Sequence, residues 1–339
     1  MDKLLEQIAT TIADYREGEI QKPDAAHVLR WVKQFEAAVR EPILQEMSHV
    51  LQRTYVSKAS FRKFLGSVAS GKKLCGESPD AFWKTTNILK IQLGGRSQRE
   101  ILRLFGEVLE ERFGIKLAQC GSATGPFIYL DDAVFSGARV IQDLSPWIKD
   151  KSPPKATVHV IVAAYHAYGQ YYADKKLQEV AVAAGKQIEI NWWCSLRLED
   201  TKYRIISSDV LRPKTIPDKA DVQAYAKMLA DAGYPAVFRT GSSVGGKAIF
   251  SSDDGRNLLE QNFLIEGVRI KKICPNLHEV VRPLGFHGLK TFGFGSTLVT
   301  FRNCPNNCPL VFWVDSPWYP LFPRKTNTKS SIESFMEDL

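Results

Sequence analysis

The chain has 339 residues, of which 44% are hydrophobic and 24% charged, as in folded globular proteins, and this composition excludes extended disorder as the main state. No stretch approaches about 18 consecutive apolar residues and the N-terminus lacks an apolar signal core, so we expect a cytoplasmic protein with no membrane partner. Forty-five basic and 37 acidic residues give a net charge of +8, which favours an anionic partner such as a nucleotide, pyrophosphate or nucleic acid but equally fits unselected surface charge.

The first predicted elements are helices. Apolar residues recur at helical spacing in residues 5–15, 28–39 and 43–51. This pattern predicts a helical module over residues 1–70.

Strands and helices alternate in the next segment, residues 71–196. The predicted strands are 87–92, 127–130, 158–163 and 187–192, and the helices between them are 97–113, 138–147 and 169–184. Such alternation implies right-handed crossovers and a mostly parallel sheet, so this segment is predicted to be an α/β core.

The remaining segment, residues 197–339, has a less regular pattern. Helices are predicted at 221–232 and around 257–263, and residues 284–324 are dense in glycine, proline and aromatic residues. We expect an irregular α+β extension that forms a lid or hood.

Two adjacent acids follow the predicted strand 127–130. They are Asp131 and Asp132, at the carboxyl end of the strand, which is the edge of an open α/β sheet where ligands bind. Two carboxylates at such an edge suit ribose hydroxyls and a Mg²⁺ ion, held through the ligand or water.

A loop of small residues follows the acids and leads into a predicted helix. Its backbone amides and the helix N-terminus suit a phosphate group, with a serine hydroxyl and a glycine that permits close approach. The candidate phosphate loop consists of Phe135, Ser136, Gly137, Ala138 and Arg139.

A second candidate anion loop follows the predicted strand 87–92. Gly94 and Gly95 allow a close backbone approach, and Arg96 supplies a cation. A Gly-Gly turn before a helix is common, so its position one strand before the acids is the informative feature.

These two segments resemble the phosphoribosyl pyrophosphate (PRPP) signature of type I phosphoribosyltransferases, in which a strand delivers two acids followed four residues later by Ser or Thr and then Gly. The match is good at Asp131, Asp132, Ser136 and Gly137. It departs at Ala138 and Arg139, where that family usually has Gly-Thr.

The resemblance extends to the C-terminal half. Residues 250–260, with sequence FSSDDGRNLLE, and 302–307, with sequence RNCPNN, are similar to the divergent phosphoribosyltransferase domains of bacterial conflict and anti-phage loci (PRTase-CE-like), over about residues 30–325. It implies a sheet of the type I phosphoribosyltransferase kind and a defence effector or partner subunit.

The resemblance also implies roles for the candidate residues. Asp131 and Asp132 would hold the ribose hydroxyls and Mg²⁺, Gly95 and Arg96 would stabilise the leaving pyrophosphate, and the loop 135–139 would bind the 5′-phosphate. The reaction would be a phosphoribosyl transfer or the modification or cleavage of a nucleotide. The alternative is a non-catalytic nucleotide-sensing or nucleic-acid-associated module, docked on a protein or RNA encoded in the same locus.

Two further candidates have weaker signals. Residues 241–247 satisfy the GxxxxGK spacing of a P-loop, but Ala248 lacks the metal-binding hydroxyl and no helix is predicted directly after it, so Lys247 is a candidate phosphate contact in a glycine-rich loop or part of an ordinary hairpin. His166, after the strand 158–163, is a candidate contact for a base or sugar, although a lone histidine there is more often structural.

The six cysteines are too few and dispersed for a disulfide scaffold. Four residues have donor atoms that could bind zinc, but the two three-residue spacings are unusual for a zinc site, and buried thiols are the simpler reading. They are Cys274, His278, Cys304 and Cys308.

Overall fold

A computed structural model describes residues 1–92, 97–241, 243–287 and 291–324. The chain divides into two compact units: one comprises Met1–Ser57 and the described residues from Leu198 onward, and the other is Lys58–Arg197. These boundaries differ from the predicted segments 1–70, 71–196 and 197–339, whose independence as domains stays a prediction.

The first unit begins with helices whose apolar stripes are buried, as the spacing indicated. Leu5, Ile8 and Val28 are among the buried residues, and Asp24 caps the second helix by accepting a hydrogen bond from the His27 amide at 2.8 Å. The elements are α1 (Asp2–Thr11), α2 (Ala25–Val32), a 3₁₀ turn (Ala37–Val39), α3 (Arg40–Thr54) and β1 (Tyr55–Val56).

The second unit is the alternating segment. In chain order it contains α4 (Lys58–Ala69), α5 (Lys72–Cys75), α6 (Pro79–Thr85), β2 (Asn87–Ile88), α7 (Ser97–Phe113), a 3₁₀ turn (Leu117–Gln119), β3 (Phe127–Leu130), β4 (Ala133–Val134), α8 (Ala138–Asp150), β5 (Lys155–His166), α9 (Ala167–Ala183) and β6 (Gln187–Leu198).

These strands form one sheet in which β2, β3 and β5 lie side by side, β6 pairs with β5, and β4 pairs with β5 beyond β3. The β2–β3, β3–β5 and β4–β5 pairs are parallel. A mostly parallel α/β sheet is therefore confirmed. Alternate β5 residues Val158, Val160 and Val162 share a buried cluster with Leu144 of α8 and Leu177 of α9, so both helices contribute to the core at the sheet.

Strand β2 is shorter than predicted. The Leu89 amide still donates to the Ile128 carbonyl at 2.9 Å, but the chain then leaves the sheet. The Gln92 amide donates to the Gln98 side chain and the Gln98 amide donates to the Gln92 side chain, both at 3.0 Å. These reciprocal bonds replace the sheet ladder at the end of the predicted strand.

The first unit resumes after β6. Its remaining elements are α10 (Ala220–Asp231), α11 (Asp253–Ile273), β7 (Val281–Arg282), β8 (Gly285–Phe286), β9 (Val299–Thr300) and α12 (Leu310–Trp313). Strands β7 and β8 pair antiparallel, and β9 pairs parallel with β1. Thus the two ends of this unit, far apart in sequence, share a small sheet.

Helix α11 is much longer than the predicted helix around 257–263. Ser252 caps it by accepting from the Gly255 amide at 2.9 Å. The buried face of α11 includes ion pairs as well as apolar contacts. The Glu260 carboxylate accepts hydrogen bonds from Arg256 Nε and Arg239 Nε, both at 2.8 Å. Charged residues in the buried face break the apolar periodicity from which the helix length was predicted.

None of the helices in the described ranges is long and apolar enough to cross a membrane.

Candidate functional site

The two predicted acids interrupt a strand without breaking its register. β3 pairs from Phe127 opposite Val158, and β4 continues in the same register with Ala133 opposite Ala164. Between them the Asp131 amide donates to the Ile161 carbonyl at 3.3 Å, and the Asp132 carbonyl accepts from the Ala163 amide at 2.9 Å. The backbone of both acids is therefore fixed by the sheet, and the predicted loop after Leu130 begins only after Val134.

Asp131 is nearly enclosed, with 4% of its surface exposed. Its Oδ1 accepts from the Asp132 amide at 2.9 Å. Burial, followed by the nearby Asp132 charge, raises the pKa of Asp131 to about 8. Asp132 is partly buried, and its Oδ1 accepts from the Ala133 amide at 2.8 Å. The two carboxylates thus differ in environment, with Asp132 the more accessible.

A third carboxylate, missed in the sequence, lies beside them. Asp143 of α8 accepts the hydroxyl hydrogen of Tyr129 at 2.7 Å, while the same hydroxyl is 3.4 Å from Asp131 Oδ2. Burial raises the pKa of Asp143, opposed by the Tyr129 bond and by the Arg139 charge. The available signal was an acid on the apolar face of a predicted helix, four residues after Arg139 and therefore on the same side.

The third carboxylate also contacts Gln92, which precedes the second candidate loop in the sequence. The side chain of Gln92 hydrogen-bonds to Asp143 and so lowers its pKa. Gln92 is the last described residue before Gly94, Gly95 and Arg96, which lie outside the described residues. The reciprocal bonds between Gln92 and Gln98 tie the two flanks of that loop together. The described chain therefore passes beside the acid cluster at Gln92, and the place of Gly94, Gly95 and Arg96 in the site stays a prediction.

The candidate phosphate loop packs tightly on the first turn of α9. Gly137 has a φ of 83°, in the left-handed region, and a Cβ there would clash with the Gly169 carbonyl oxygen. A Cβ on Gly169 would in turn clash with the Phe135 carbonyl oxygen. Gly137 is also the N-cap of α8 and supplies no side-chain cap, and the Ala138 amide makes only a long 3.4 Å contact to Ser136 Oγ.

His166 lies inside this arrangement. Its side chain is fully buried, with Nδ1 3.3 Å from the Val134 carbonyl oxygen and its ring centroid 5.1 Å from that of Phe135. It supports the strand and loop from within. Its predicted contact with a base or sugar stays a prediction, and the described surface offers no exposed part of the ring for one.

Arg139, predicted to belong to the phosphate loop, begins the first turn of α8 with Ala138. Its Nη1 donates to Gln142 Oε1 at 3.1 Å. Its charge lowers the pKa of both Asp131 and Asp143, which places the guanidinium close to the acid cluster. One cation therefore partly compensates two carboxyls.

A family model described as PRTase-CE matches residues 28–324, which is most of the chain. The chain belongs to the PRTase-CE family. The phosphoribosyltransferase-like resemblance is thereby confirmed, and the match coincides closely with the predicted span of about 30–325. Comparisons with curated proteins and with solved structures found no match.

In this PRTase-CE protein the glycine-rich loop lies in the other unit, and its described residues do not form a P-loop. The Lys247 amide donates to Asp209 Oδ1 at 3.0 Å, and a Cβ on Gly245 would lie 2.6 Å from the same oxygen. A carboxylate of the chain thus takes an amide that a P-loop would offer to phosphate, and no helix begins within residues 243–252. The role of Lys247 as a phosphate contact stays a prediction.

The four predicted zinc candidates hydrogen-bond to backbone groups, and Cys304 and Cys308 also contact each other through their side chains. Cys308 Sγ donates to the Leu298 carbonyl at 3.3 Å, Cys274 Sγ lies 4.0 Å from the Ser316 carbonyl, and His278 Nδ1 accepts from the Val280 amide at 3.2 Å. Burial raises the pKa of Cys308, which disfavours the thiolate that binds metal. Within the described ranges, no three His, Cys, Asp or Glu residues are grouped to hold a metal ion.

Proposed function

We propose that this phosphoribosyltransferase-like protein binds a 5-phosphoribosyl compound, PRPP or a nucleotide, together with Mg²⁺ at the edge of the sheet formed by β3, β4 and β5. The proposal rests on three features that lie together. The backbone of Asp131 and Asp132 is hydrogen-bonded to β5, and the phosphate loop follows directly in the chain. Gln92, which precedes the second candidate loop, hydrogen-bonds to Asp143 beside these acids.

The 5′-phosphate would bind the loop 135–139. Its anchor is rigid, because Gly137 and Gly169 are packed backbone against backbone. The first turn of α8 lacks a side-chain cap, so its amides are suited to donate hydrogen bonds to an anion at the positive end of the helix dipole. Ser136 adds a hydroxyl at the same point.

The acid pair would bind the ribose hydroxyls and contribute to the metal site. Mg²⁺ is usually held by one or two protein carboxylates, with water and substrate phosphates completing an octahedron. Asp131 and Asp132 fit this mode, since they supply oxygen ligands without a three-residue cage. When bound, the ion would neutralise phosphate charge.

If the site turns over, the reaction is displacement at the anomeric carbon. A bond forms between that carbon and the acceptor nucleophile, while the carbon–oxygen bond to pyrophosphate breaks and its electron pair leaves with pyrophosphate. The chain would contribute positioning and stabilisation of the positively charged, oxocarbenium-like transition state by the acids. Gly94, Gly95 and Arg96 would bind the leaving pyrophosphate.

A second candidate function is a nucleotide-sensing module without turnover. It is favoured by Arg139, which occupies a position where type I enzymes usually have threonine and whose guanidinium donates to Gln142 beside the acids. The first-turn hydroxyl that would help hold the 5′-phosphate through the reaction is therefore replaced.

Calorimetric titration of PRPP, with and without MgCl₂, tests the proposed ligand. We expect Mg²⁺-dependent binding to the wild-type chain and a loss of at least about tenfold in affinity for Asp131→Asn/Asp132→Asn, because a single charged hydrogen bond contributes about 1.5–3 kcal/mol. Asp150→Asn, an exposed acid at the end of α8, is the matched control. Equal affinity in the double variant and wild type would refute the site.

Pyrophosphate release in the presence of nucleobases separates the two functions. Release that depends on Asp131 and Asp132 indicates an enzyme, whereas binding without release indicates the sensing module.

We further propose a role as an effector or partner subunit in bacterial anti-phage defence, on the strength of the resemblance in residues 250–260 and 302–307. Phage plating on cells carrying the complete locus tests this role. Protection that is lost with Asp131→Asn/Asp132→Asn and kept with Asp150→Asn supports it, and protection that persists in the double variant contradicts it.

A further inference from the structure

Helix α9 carries apolar side chains on two opposite faces. One face carries Ala173, Leu177 and Ala181, which are at most 1% exposed. The opposite face carries Tyr171 and Val182, which are 59% and 77% exposed. Several large apolar side chains exposed together on one surface indicate an interaction site, so this outer face is expected to fit a partner.

The exposed residues form one continuous stripe along the helix. At 100° per residue they fall within a narrow sector opposite the buried face. We call this the α9 stripe, and it consists of Tyr168, Tyr171, Tyr172, Lys175, Glu179, Val182 and Ala183.

 All seven residues of the α9 stripe are exposed to solvent.

The α9 stripe is complementary to itself in an antiparallel arrangement. If two copies cross midway between positions 175 and 179, Lys175 of each copy lies opposite Glu179 of the other. The bulky Tyr172 then lies opposite Val182, and Tyr171 opposite the small Ala183. Large side chains meet small ones and each charge meets its opposite, which is what a two-fold interface between identical surfaces requires.

The charges on this part of the helix favour a protein partner over a nucleic acid. Residues 174–179 contain two acids and two lysines, and Lys176 is already paired with Glu179 at 2.8 Å. Surfaces that bind nucleic acids need an excess of Lys and Arg to contact the phosphate backbone. The α9 stripe has one lysine and one acid, so it has no such excess. A second copy of the chain supplies both the apolar surface and the opposite charges.

We propose that the α9 stripe is a docking surface at which two copies of this chain pair antiparallel. The tyrosines supply large, rigid contact area, as is common in the centre of protein interfaces. The Lys175–Glu179 pair, present twice across the two-fold axis, fixes the antiparallel register.

Charge reversal in the full-length chain tests the register. Sedimentation equilibrium should show a reversible dimer for the wild type. Lys175→Glu and Glu179→Lys should each raise the dimer dissociation constant by at least about tenfold, because each places like charges opposite each other twice. The double variant Lys175→Glu/Glu179→Lys should return to within about threefold of the wild type, which a merely structural effect on each monomer would not produce.

A size-changing variant tests the apolar part of the surface. Tyr171→Ser should weaken the dimer, whereas Tyr203→Ser, which alters an 84% exposed tyrosine outside α9, should not. Unchanged thermal unfolding at low protein concentration shows that the variants fold. A monomeric wild type at about 100 μM, or a dimer that tolerates both single charge reversals, overturns the proposal. So does single-stranded RNA binding by a monomeric chain that is lost in Tyr171→Ser.

Discussion

Asp131 is buried and most of its charged neighbours are acids, a combination that does not favour stability. It is nearly fully buried, and its closest charged neighbours include two further acids, Asp132 and Asp143, against one cation, Arg139. Burial of a carboxyl group under these conditions favours its protonated form. The arrangement opposes folding at neutral pH and is the kind of electrostatic strain found at binding sites.

The raised pKa of Asp131 gives a stability prediction with a definite sign. Below about pH 4 the carboxyl is protonated in both folded and unfolded chains. Between about pH 4 and pH 8 the unfolded chain loses this proton while the folded chain keeps it, so the free energy of unfolding falls by up to ~1.4 kcal/mol per pH unit. Asp131→Asn removes this loss, and we expect the variant to become more stable relative to wild type as pH rises through this window.

Urea unfolding at pH 5, 6, 7 and 8 measures the effect. The exposed control Asp150→Asn should differ from wild type by a constant amount at all four values. A constant difference for Asp131→Asn as well would show that its carboxyl titrates normally in the folded chain.

Asp143 shows where residue-level inference from sequence ends. The adjacent acids Asp131 and Asp132 were recognisable because both are next to each other after an apolar strand. Asp143 comes from a different element, and its meeting with Tyr129 and Gln92 depends on how α8 packs across the sheet. A contact among three elements cannot be read from local spacing.

At the scale of elements, the packing of the phosphate loop on α9 reverses an ordinary helix rule. Replacing a glycine within a helix by alanine normally stabilises the helix by about 1 kcal/mol. Gly169→Ala should instead destabilise the chain by about 1–3 kcal/mol, because the new methyl group would overlap the Phe135 carbonyl oxygen and displace the loop.

Chemical denaturation and PRPP titration of Gly169→Ala measure both consequences, and we expect weaker ligand binding as well as lower stability. Gly185→Ala is the control, since no atom lies within 4 Å of the place its Cβ would take and the substitution carries only the strain of a φ of 67°. A Gly169→Ala variant that is more stable than wild type and binds PRPP normally would show that the loop is not clamped by α9.

A second element-scale prediction concerns α11, which is anchored by charge. Glu260 accepts from Arg239 and Arg256, and these arginines also donate to the Gly241 and Ser243 carbonyls of the glycine-rich loop. Glu260→Gln removes the charge that two buried guanidinium groups share, while Arg239 keeps its ion pair with Asp253, and we expect a loss of about 3 kcal/mol in the free energy of unfolding. Asp231→Asn, which breaks the exposed pair with Lys227, should cost at most about 1 kcal/mol.

Urea unfolding of both variants measures the contrast. Equal, small losses would mean that the cluster is not an ionic anchor of α11.

The elements differ in how well their limits could be predicted. The bounds of α7 and β3 agree with the prediction because local apolar patterns mark them. Strand β2 ends early because Gln92 pairs with Gln98, and α11 extends further because Arg256 and Glu260 are buried as an ion pair. Where a boundary depends on the partner of a polar side chain, the apolar pattern misplaces it.

At the scale of the whole molecule, the acid cluster and the phosphate loop belong to the unit Lys58–Arg197, whereas the glycine-rich loop with Lys247 belongs to the other unit. Hydrogen exchange can therefore distinguish which loop binds the ligand. A ligand that binds only the folded chain stabilises it by about 2.7 kcal/mol at one hundred times its dissociation constant, and the slowing of exchange is greatest where it makes contact.

We expect PRPP with Mg²⁺ to slow amide exchange in residues 127–143 and to leave residues 243–250 nearly unchanged. The reason is that the first turn of α8 has no side-chain cap and can donate its amides to an anion, whereas the Lys247 amide is already bonded to Asp209. Asp131→Asn/Asp132→Asn should abolish the protection, and Lys247→Ala should retain most of it. Protection centred on residues 243–250, sensitive to Lys247→Ala and insensitive to the loss of the acids, would assign the ligand to the glycine-rich loop instead.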